Sequence, residues 1–448
     1  MKSSDKQFKV SEYYRSIINS ANSMGIVYHT LIGNGMFVSA KLACLLNEKR
    51  DHVFTPSYFS VPSQIVLRLL SSGLIVLPGC DEKTNYMKIA SEQSGHDIGH
   101  LRLCVSESCN MNCSYCFMSL KEKQTKMPLE IAKKAISEYY NILRKTKNKG
   151  EITFFGGEPL LNWDVLKKSI LFALKTDSRH RFITRIGIVT NGTLLNMQRA
   201  TFFNKTRTAV SISLDGPRAV HNKVRKQING KGSYDSIIRG IKAMTDVGYK
   251  PLSFLCTIGD HNIDALNELI AFASKQNIFL NLNTAFAERK RLAFSVSYDK
   301  ISKRLMEAEL FAKAHKVEMD GTWRWAYEKI FTKNKKMRHC MASGSELCID
   351  CEGNIKPCPG FNEKYGTIFD VEEALSSDLY HKFCSRTALN IPECEGCDIE
   401  GLCAGGCMLN AHKVHNGDIF KKSESCWLFK RMFKLLAVKY LDEKSSNV

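Results

Sequence analysis

Six short apolar runs, spaced so that one amphipathic helix fits after each, constrain the middle of this chain more than any other feature. They read LRLCV (101–105), EITFF (151–155), RIGIVT (185–190), AVSISL (209–214), LSFLCTI (252–258) and IFLNLNT (278–284). Apolar residues recur at helical spacing over 128–145, 163–176, 193–204, 234–247, 262–275 and 299–316. Short, nearly continuous strands alternating with helices predict a parallel sheet with helical crossovers. Eight such units close a barrel. Six predict an open, partial (β/α)6 TIM-like barrel within an α/β chain.

In such folds chemistry collects at the C-terminal ends of the strands. The unusual residues of this sequence fall there. CNMNCSYCF (109–117) follows the first strand, GGEP (156–159) the second, TNG (190–192) the third and SLDGP (213–217) the fourth. Each alone could be a turn or a cap. Their common position on one rim is the stronger signal.

The cysteines sharpen this. Of seventeen, three lie in 109–116 and ten between Cys340 and Cys426, while Cys44, Cys80, Cys104 and Cys256 are expected to be buried small hydrophobes. Clustered thiols in a chain expected to be cytoplasmic point to metal rather than to disulfides. Cys109, Cys113 and Cys116 offer three ligands where a closed zinc or iron–sulfur site uses four. Either His96 or His100 completes a zinc site, or one metal position stays open for a small molecule.

The loop Cys109-x3-Cys113-x2-Cys116-Phe117, with Gly156-Gly157-Glu158-Pro159 on the next unit, resembles the radical S-adenosylmethionine (SAM) superfamily over about residues 98–317. The resemblance implies that the three thiolates hold three irons of a [4Fe–4S] cluster and leave the fourth to SAM. One-electron cleavage of SAM then gives a 5′-deoxyadenosyl radical that removes a hydrogen atom from the substrate; a reductase such as a flavodoxin or ferredoxin is the implied electron donor. It implies that the glycines at 156 and 157 admit the methionine moiety, that Glu158 accepts from its ammonium, and that Thr190, Asn191, Ser213 and Asp215 face the ribose and carboxylate. Arg225 would pair with the SAM carboxylate, and Tyr115 and Phe117 would shield the cluster.

The second block resembles the SPASM extension of the same enzymes, which carries two auxiliary clusters. Cys340 precedes Cys358 by eighteen residues around a hairpin with its turn at 352–354, and Cys394-x2-Cys397-x5-Cys403-x3-Cys407 is followed by Cys426. A zinc ribbon is the alternative, but these thiols exceed one zinc site. By resemblance Cys394, Cys397, Cys403 and Cys426 hold the outer cluster, and Cys340, Cys358 and Cys407 the inner one. Cys348 or Cys351 closes the inner cluster, or neither does; Cys384 is expected to be structural. Three [4Fe–4S] clusters in all are implied.

Residues 1–95 are expected to form a winged-helix-like domain. GIVYHTLIGNGMFV reads as a hairpin turning at 33–35, SAKLACLLNEK as a helix capped by Ser39, VPSQIVLRLLSSG as a helix ending at Gly73, and LIVLP as a strand. The segment holds ten Lys/Arg and seven Asp/Glu without a basic stripe, which speaks against DNA binding. It resembles the leader-recognition domain of peptide-modifying enzymes, in which a leader peptide adds a strand to a sheet edge, here expected around Val27–Val38. The expected order is then the barrel at 98–317, a connector at 318–339, the SPASM domain at 340–430 and a helical tail at 431–448.

The formal net charge is +19, which suits solubility or an acidic partner. No run is long and apolar enough for a membrane span, and the polar start MKSSDKQFKV has no secretory h-region. These readings converge on a maturase of a ribosomally made peptide that installs a thioether, C–C or C–O cross-link. A maturase of a protein such as a sulfatase is the alternative within the family, and an iron–sulfur winged-helix redox sensor the alternative of another class.

Overall fold

The computed structural model describes residues 6–92, 98–116, 118, 125–146, 149–180, 182–249, 252–284, 297–333 and 337–445. The chain forms two compact units. One comprises Met1–Gln93, Thr322–Cys340 and Ser385–Val448; the other comprises Ser94–Gly321 and Met341–Cys384.

In the first unit, β1 (Lys9–Val10) pairs antiparallel with β5 (Ile75–Val76), and β2 (Tyr14–Asn19), β3 (Met24–His29) and β4 (Gly33–Ser39) form an antiparallel meander. Helices α1 (Ala40–Glu48), α2 (Ser63–Ser71) and α3 (Glu82–Glu92) accompany them. Ser39 caps α1, its Oγ accepting the Leu42 N–H at 3.2 Å. The β1–β5 and meander layers share a core that includes Phe8, Val10, Tyr14, Val27, Leu46, Leu69 and Ile75.

The hairpin turns at 30–32, not at the expected 33–35. His29 Nδ1 accepts the N–H groups of Leu31 (3.2 Å) and Ile32 (3.4 Å) and so caps the turn. Gly33 and Gly35 serve another purpose. A Cβ on Gly33 would overlap the Lys329 and Thr332 carbonyls, and Gly35 N–H donates to Ile330 O. The glycines admit the 329–332 backbone against β4. Because β3 is paired on both sides and the Gly33–Gly35 end of β4 meets the 330–332 backbone, the docking edge expected around Val27–Val38 is reduced to the rest of β4; β2 is the other outer strand of the meander.

The second unit carries the six expected strands in one parallel run: β6 (His100–Ser106), β8 (Gly150–Gly156), β9 (Thr184–Thr190), β10 (Ala209–Ser213), β12 (Leu252–Ile258) and β13 (Phe279–Thr284), with β7 (Met111–Cys113) and β11 (Arg225–Gln227) as a separate ribbon. Strand β14 (Met319–Asp320) extends the β13 edge in parallel. At the other edge β15 (Glu346–Ile349) pairs parallel with β6, and the antiparallel β16 (Asn354–Lys356) and β17 (Gly366–Thr367) follow. The sheet is open, with ten strands from β14 to β17. The Cys348–Cys358 hairpin is therefore an extension of the barrel sheet. Its turn spans 350–353, where Gly353 N–H donates to Asp350 O.

The six expected crossover helices are present as α4 (Leu129–Thr146), α5 (Trp163–His180), α6 (Met197–Thr206), α8 (Tyr234–Asp246), α9 (Leu266–Gln276) and α10 (Tyr298–Ala314), and a short α7 (Arg218–Val224), not among those expected, follows β10. In α4 the residues Ala132, Ala135, Ile136, Tyr139, Tyr140 and Leu143 are buried, one stripe at 3.6-residue spacing. The lower rim is stapled by tyrosines. Tyr139 OH donates to Gly99 O (2.6 Å) and accepts from Glu151 N (2.8 Å), tying the starts of β6 and β8. Cys104 and Cys256 are buried as expected; Cys44 is exposed and Cys80 intermediate, because their segments lie at the surface of the first unit.

Candidate active site

The cysteine loop leaves the end of β6 and is held on two sides. On one side β7 pairs with β11 in the register Cys113↔Arg225, Asn112↔Lys226 and Met111↔Gln227, extended by Ser114 N–H to Val224 O at 2.9 Å. On the other side the GGEP backbone sits directly on the loop's first residues. Gly157 N–H donates to Ser106 O (2.7 Å) and Glu158 N–H to Ser108 O (2.9 Å). A Cβ on Gly156, whose φ is +139°, would overlap the Ser106 carbonyl, and one on Gly157 would crowd Ser108. The glycines are thus required by backbone-to-backbone packing against the cysteine loop.

Glu158 is fully buried and satisfied by the protein. Its carboxylate accepts from Leu160 N (2.9 Å), Thr190 Oγ1 (2.7 Å) and Asn191 N (2.7 Å). Burial raises its pKa and those three donors counter the rise. GGEP and TNG are locked together through this one side chain, and Thr190 spends its hydroxyl there. Asn191 reaches the cysteine loop: its Nδ2 donates to Asn110 Oδ1 (2.9 Å) and lies 3.9 Å from Cys109 Sγ. Ser213 is half-buried at the end of β10.

Asp215 is the centre of a buried network that sequence reasoning reached only in part. Its carboxylate accepts from Tyr115 OH, from Arg225 Nε (2.9 Å) and from Thr257 N (3.0 Å), with His261 Nε2 at 3.9 Å. The guanidinium of Arg225 also lies over the Tyr115 ring, 5.2 Å from its centroid. Burial opposes charge on Asp215, but Arg225 and His261 outweigh it and hold the carboxyl below the usual range. Asn262 Nδ2 donates to Asp215 O (2.9 Å), and His221 links Asp215 N to Ser233. Tyr115 is therefore more than a shield: it joins the middle of the cysteine loop to the SLDGP rim. Phe117 and His96 lie outside the described residues.

These residues fit a cluster with an open position. Burial raises the thiol of Cys109 to about 11 and that of Cys113 to about 12, and the proximity of Cys116 adds to both. Cys109 and Cys113, kept protonated without metal, are metal-coupled thiols, since binding deprotonates them. Among the described residues no three Cys, His, Asp or Glu side chains are placed for a single ion; a cluster places one thiolate per iron, not all on one. His100, a candidate for zinc, is committed at the opposite end of β6 to Glu346 (2.8 Å) and Thr153 (2.9 Å).

In the first unit, Cys394, Cys397, Cys403 and Cys426 come together. Burial pushes Cys394 up to about 12, with Cys397 and Cys426 contributing, and Cys403 is raised by burial and then by Cys426 and Cys394. Cys426 opens the helix Cys426–Ser445. Cations surround the set: Lys430 bonds Cys397, and half-buried Lys329 and buried Arg386 lie within electrostatic reach of Cys403. Cys340 and Cys407 belong to this unit, Cys358 to the other. Cys348 and Cys351 both turn to β6, Cys348 bonding the Cys104 side chain and Cys351 donating its S–H to Cys104 O at 2.9 Å. Cys384 is fully buried.

Comparison with known proteins agrees with this geometry. Residues 103–273 match the model of the radical SAM superfamily. The radical SAM cyclopropyl synthase TigE of Paramaledivibacter caminithermalis is 25% identical, the match covering 99% of this chain and 97% of that protein. A cysteine-type anaerobic sulfatase-maturating enzyme of Clostridium novyi is 26% identical, over 74% of this chain and 95% of its own. The fold is similar to that of Streptococcus suis SuiB, solved bound to the precursor peptide SuiA, with a TM-score of 0.59 and 16% identity over 93% of this chain and 99% of that one. Among the described residues no helix is long and apolar enough to cross a membrane. With its three-cysteine loop, its GGEP rim and its open parallel sheet, the chain carries a radical SAM domain over residues 103–273 and is related to TigE and to the sulfatase-maturating enzymes.

Proposed function

We propose that this enzyme acts on a ribosomally made precursor peptide and joins two of its carbons. The observation that carries the reading is the extent of the TigE match, which takes in the first unit's N-terminal domain, whereas the sulfatase-maturating relative covers only 74% of the chain. A cyclopropyl ring is closed by a carbon–carbon bond, which favours that bond over a thioether or C–O link. Bound at the rim, SAM and the cluster supply a one-electron cleavage and a radical that takes a hydrogen atom from an unactivated carbon.

The residues of this chain position that chemistry. Cys109, Cys113 and Cys116 would hold the cluster. Glu158 fixes TNG against GGEP, and the Tyr115–Asp215–Arg225 contacts fix the cysteine loop against the SLDGP rim, so that the ligands keep one geometry. Cys394, Cys397, Cys403 and Cys426 would hold an outer auxiliary cluster, with Lys430, Lys329 and Arg386 offsetting its negative charge. Cys340, Cys358 and Cys407 would hold an inner one, with Cys348 and Cys351 left to the sheet. An auxiliary cluster is a reservoir for the second electron that closing a C–C bond releases. The leader of the peptide would add a strand along β2 or β4.

Anaerobic reconstitution tests the reading: count iron, add SAM and reductant, assay 5′-deoxyadenosine, and weigh candidate peptides. About twelve irons per chain, nucleoside release and a peptide lighter by two hydrogens are expected. Modification of a leaderless protein substrate, with no peptide altered, would move the enzyme to the sulfatase class.

A further inference from the structure

The three residues between Cys403 and Cys407 all have left-handed backbone: Ala404 at φ +50°, Gly405 at +72° and Gly406 at +72°. Such a run is free of steric cost only for glycine, and Ala404 carries a Cβ. Contacts from outside the segment must therefore hold it. Gly406 is also closely packed, since a Cβ there would overlap Ser423 Oγ.

The side chain that holds the segment is Arg386, which is 1% exposed. Its Nη1 donates to Ala404 O (3.1 Å) and Gly406 O (3.2 Å), its Nη2 to Gly405 O (3.4 Å) and Lys421 O (3.0 Å), and its Nε to Ile419 O. These bonds use every N–H donor of a guanidinium, and every acceptor is a backbone carbonyl. The carbonyls of 404–406 lie between Cys403 and Cys407; those of 419 and 421 lie on the segment that leads to Cys426. Ser423 N–H, donating to Gly405 O (2.8 Å), closes the two segments on each other. Arg386 thus spends no bond on a carboxylate, although a buried charge needs an opposite one. The groups that act on its charge are the thiols of Cys340, Cys407, Cys394 and Cys403. Cys340 and Cys407 are assigned to the inner set, Cys394 and Cys403 to the outer one.

We propose that Arg386 is a positioning residue shared by the two auxiliary sites: it moulds the turn that delivers Cys403 to one and Cys407 to the other, and its fixed positive charge raises the reduction potential of both. The proposal rests on the reading that these cysteines hold two clusters. A cluster gains negative charge on reduction, so a nearby cation favours its reduced form. A guanidinium suits the task because it stays charged when buried.

The test compares the reconstituted full-length protein with its Arg386→Gln and Arg386→Lys variants. Iron released to a chelator is followed in time, and cluster reduction is read by electron paramagnetic resonance at a fixed potential. The signal that added SAM alters marks the Cys109–Cys116 cluster and is set aside. Both variants should release auxiliary iron at least about tenfold faster than the unmodified protein. In Arg386→Gln the ratio of reduced to oxidised auxiliary cluster should fall at least about tenfold, a shift of about 59 mV for one electron. Arg386→Lys, which keeps the charge, should keep the ratio of the unmodified protein. Release at the unmodified rate in both variants, an unchanged ratio in Arg386→Gln, or an equal fall in both variants would overturn the proposal. If the glutamine variant does not fold, the lysine variant decides through its release rate and its ratio. An unmodified protein that loads about twelve irons while its variants behave like it would remove the role of Arg386 alone; one that loads about four would remove the two-cluster reading as well.

Discussion

At the scale of single residues the rim is organised by two buried carboxylates with different tasks. Glu158 accepts from three donors of its own chain. Glu158→Gln keeps the shape but turns one acceptor into a donor that faces a donor. The expected cost is about 1–3 kcal/mol for the orphaned buried group, with nucleoside release reduced more than about tenfold as the rim loses its register; thermal unfolding and a 5′-deoxyadenosine assay check both. Asp215 neutralises Arg225 in a buried setting. Asp215→Ala leaves that guanidinium unpaired and should cost about 3–5 kcal/mol, read in the same unfolding measurement; an unchanged midpoint would mean that Arg225 finds another partner. The sequence pointed to Glu158, Asp215 and Arg225 because each lies in or beside a short motif. It could not show that Tyr115, His261 and Asn262 complete the Asp215 site, since residues that far apart in sequence meet only once the strand order is known.

At the scale of elements, the parallel strands and their helices were legible because each is a local pattern: a short, nearly continuous apolar run in the strand, a 3.6-residue stripe in the helix. The β3–β4 turn was not. Gly33-Asn34-Gly35 looks like a turn, but its glycines are needed for the close approach of the 329–332 backbone, a contact three hundred residues away in sequence. The actual turn depends on His29, fully buried, stacked on Tyr13 and held neutral by burial with its pKa lowered to about 3. Its folded-state pKa lies below the unfolded value of about 6.5, so the unfolded chain takes up the proton first. Stability from this group is present above pH 6.5 and is lost as pH falls toward 3. Between pH 7 and pH 5 the loss should be about 2 kcal/mol. His29→Gln should be less pH-dependent by that amount over the same interval, measured by chemical denaturation at the two pH values. Identical pH dependence in both proteins would show that the imidazole is reached by water.

For the whole molecule, the boundary expected at residue 95 treats the N-terminal domain as separable. The compact unit instead joins it to 322–340 and 385–448. The joint is intimate: Thr30 O accepts the N–H groups of Gly401 (2.9 Å) and Leu402 (3.3 Å), and a Cβ on Gly401 would overlap the Leu31 backbone. Tyr13, Leu31 and Ile32 share a buried cluster with Met337, Ala388 and Ala404. On the far side of the meander Tyr28 packs on Phe433 of the helix that begins at Cys426. Removing residues 1–93 would therefore strip the support from Cys403 and Cys426 together, besides removing the candidate leader site. The truncated protein should reconstitute with about four fewer irons than the full chain, while the Cys109–Cys116 loop, whose supports all lie in the other unit, keeps its cluster and its SAM-dependent nucleoside release. Gly401→Ala, a single methyl at the same joint, should lower iron content in the same direction without touching any cysteine. Iron counting and 5′-deoxyadenosine assays on the three proteins separate the alternatives. A truncated chain that retains all its iron would show that 385–448 folds by itself, and would return the N-terminal domain to the status of an independent module whose only task is to hold the peptide.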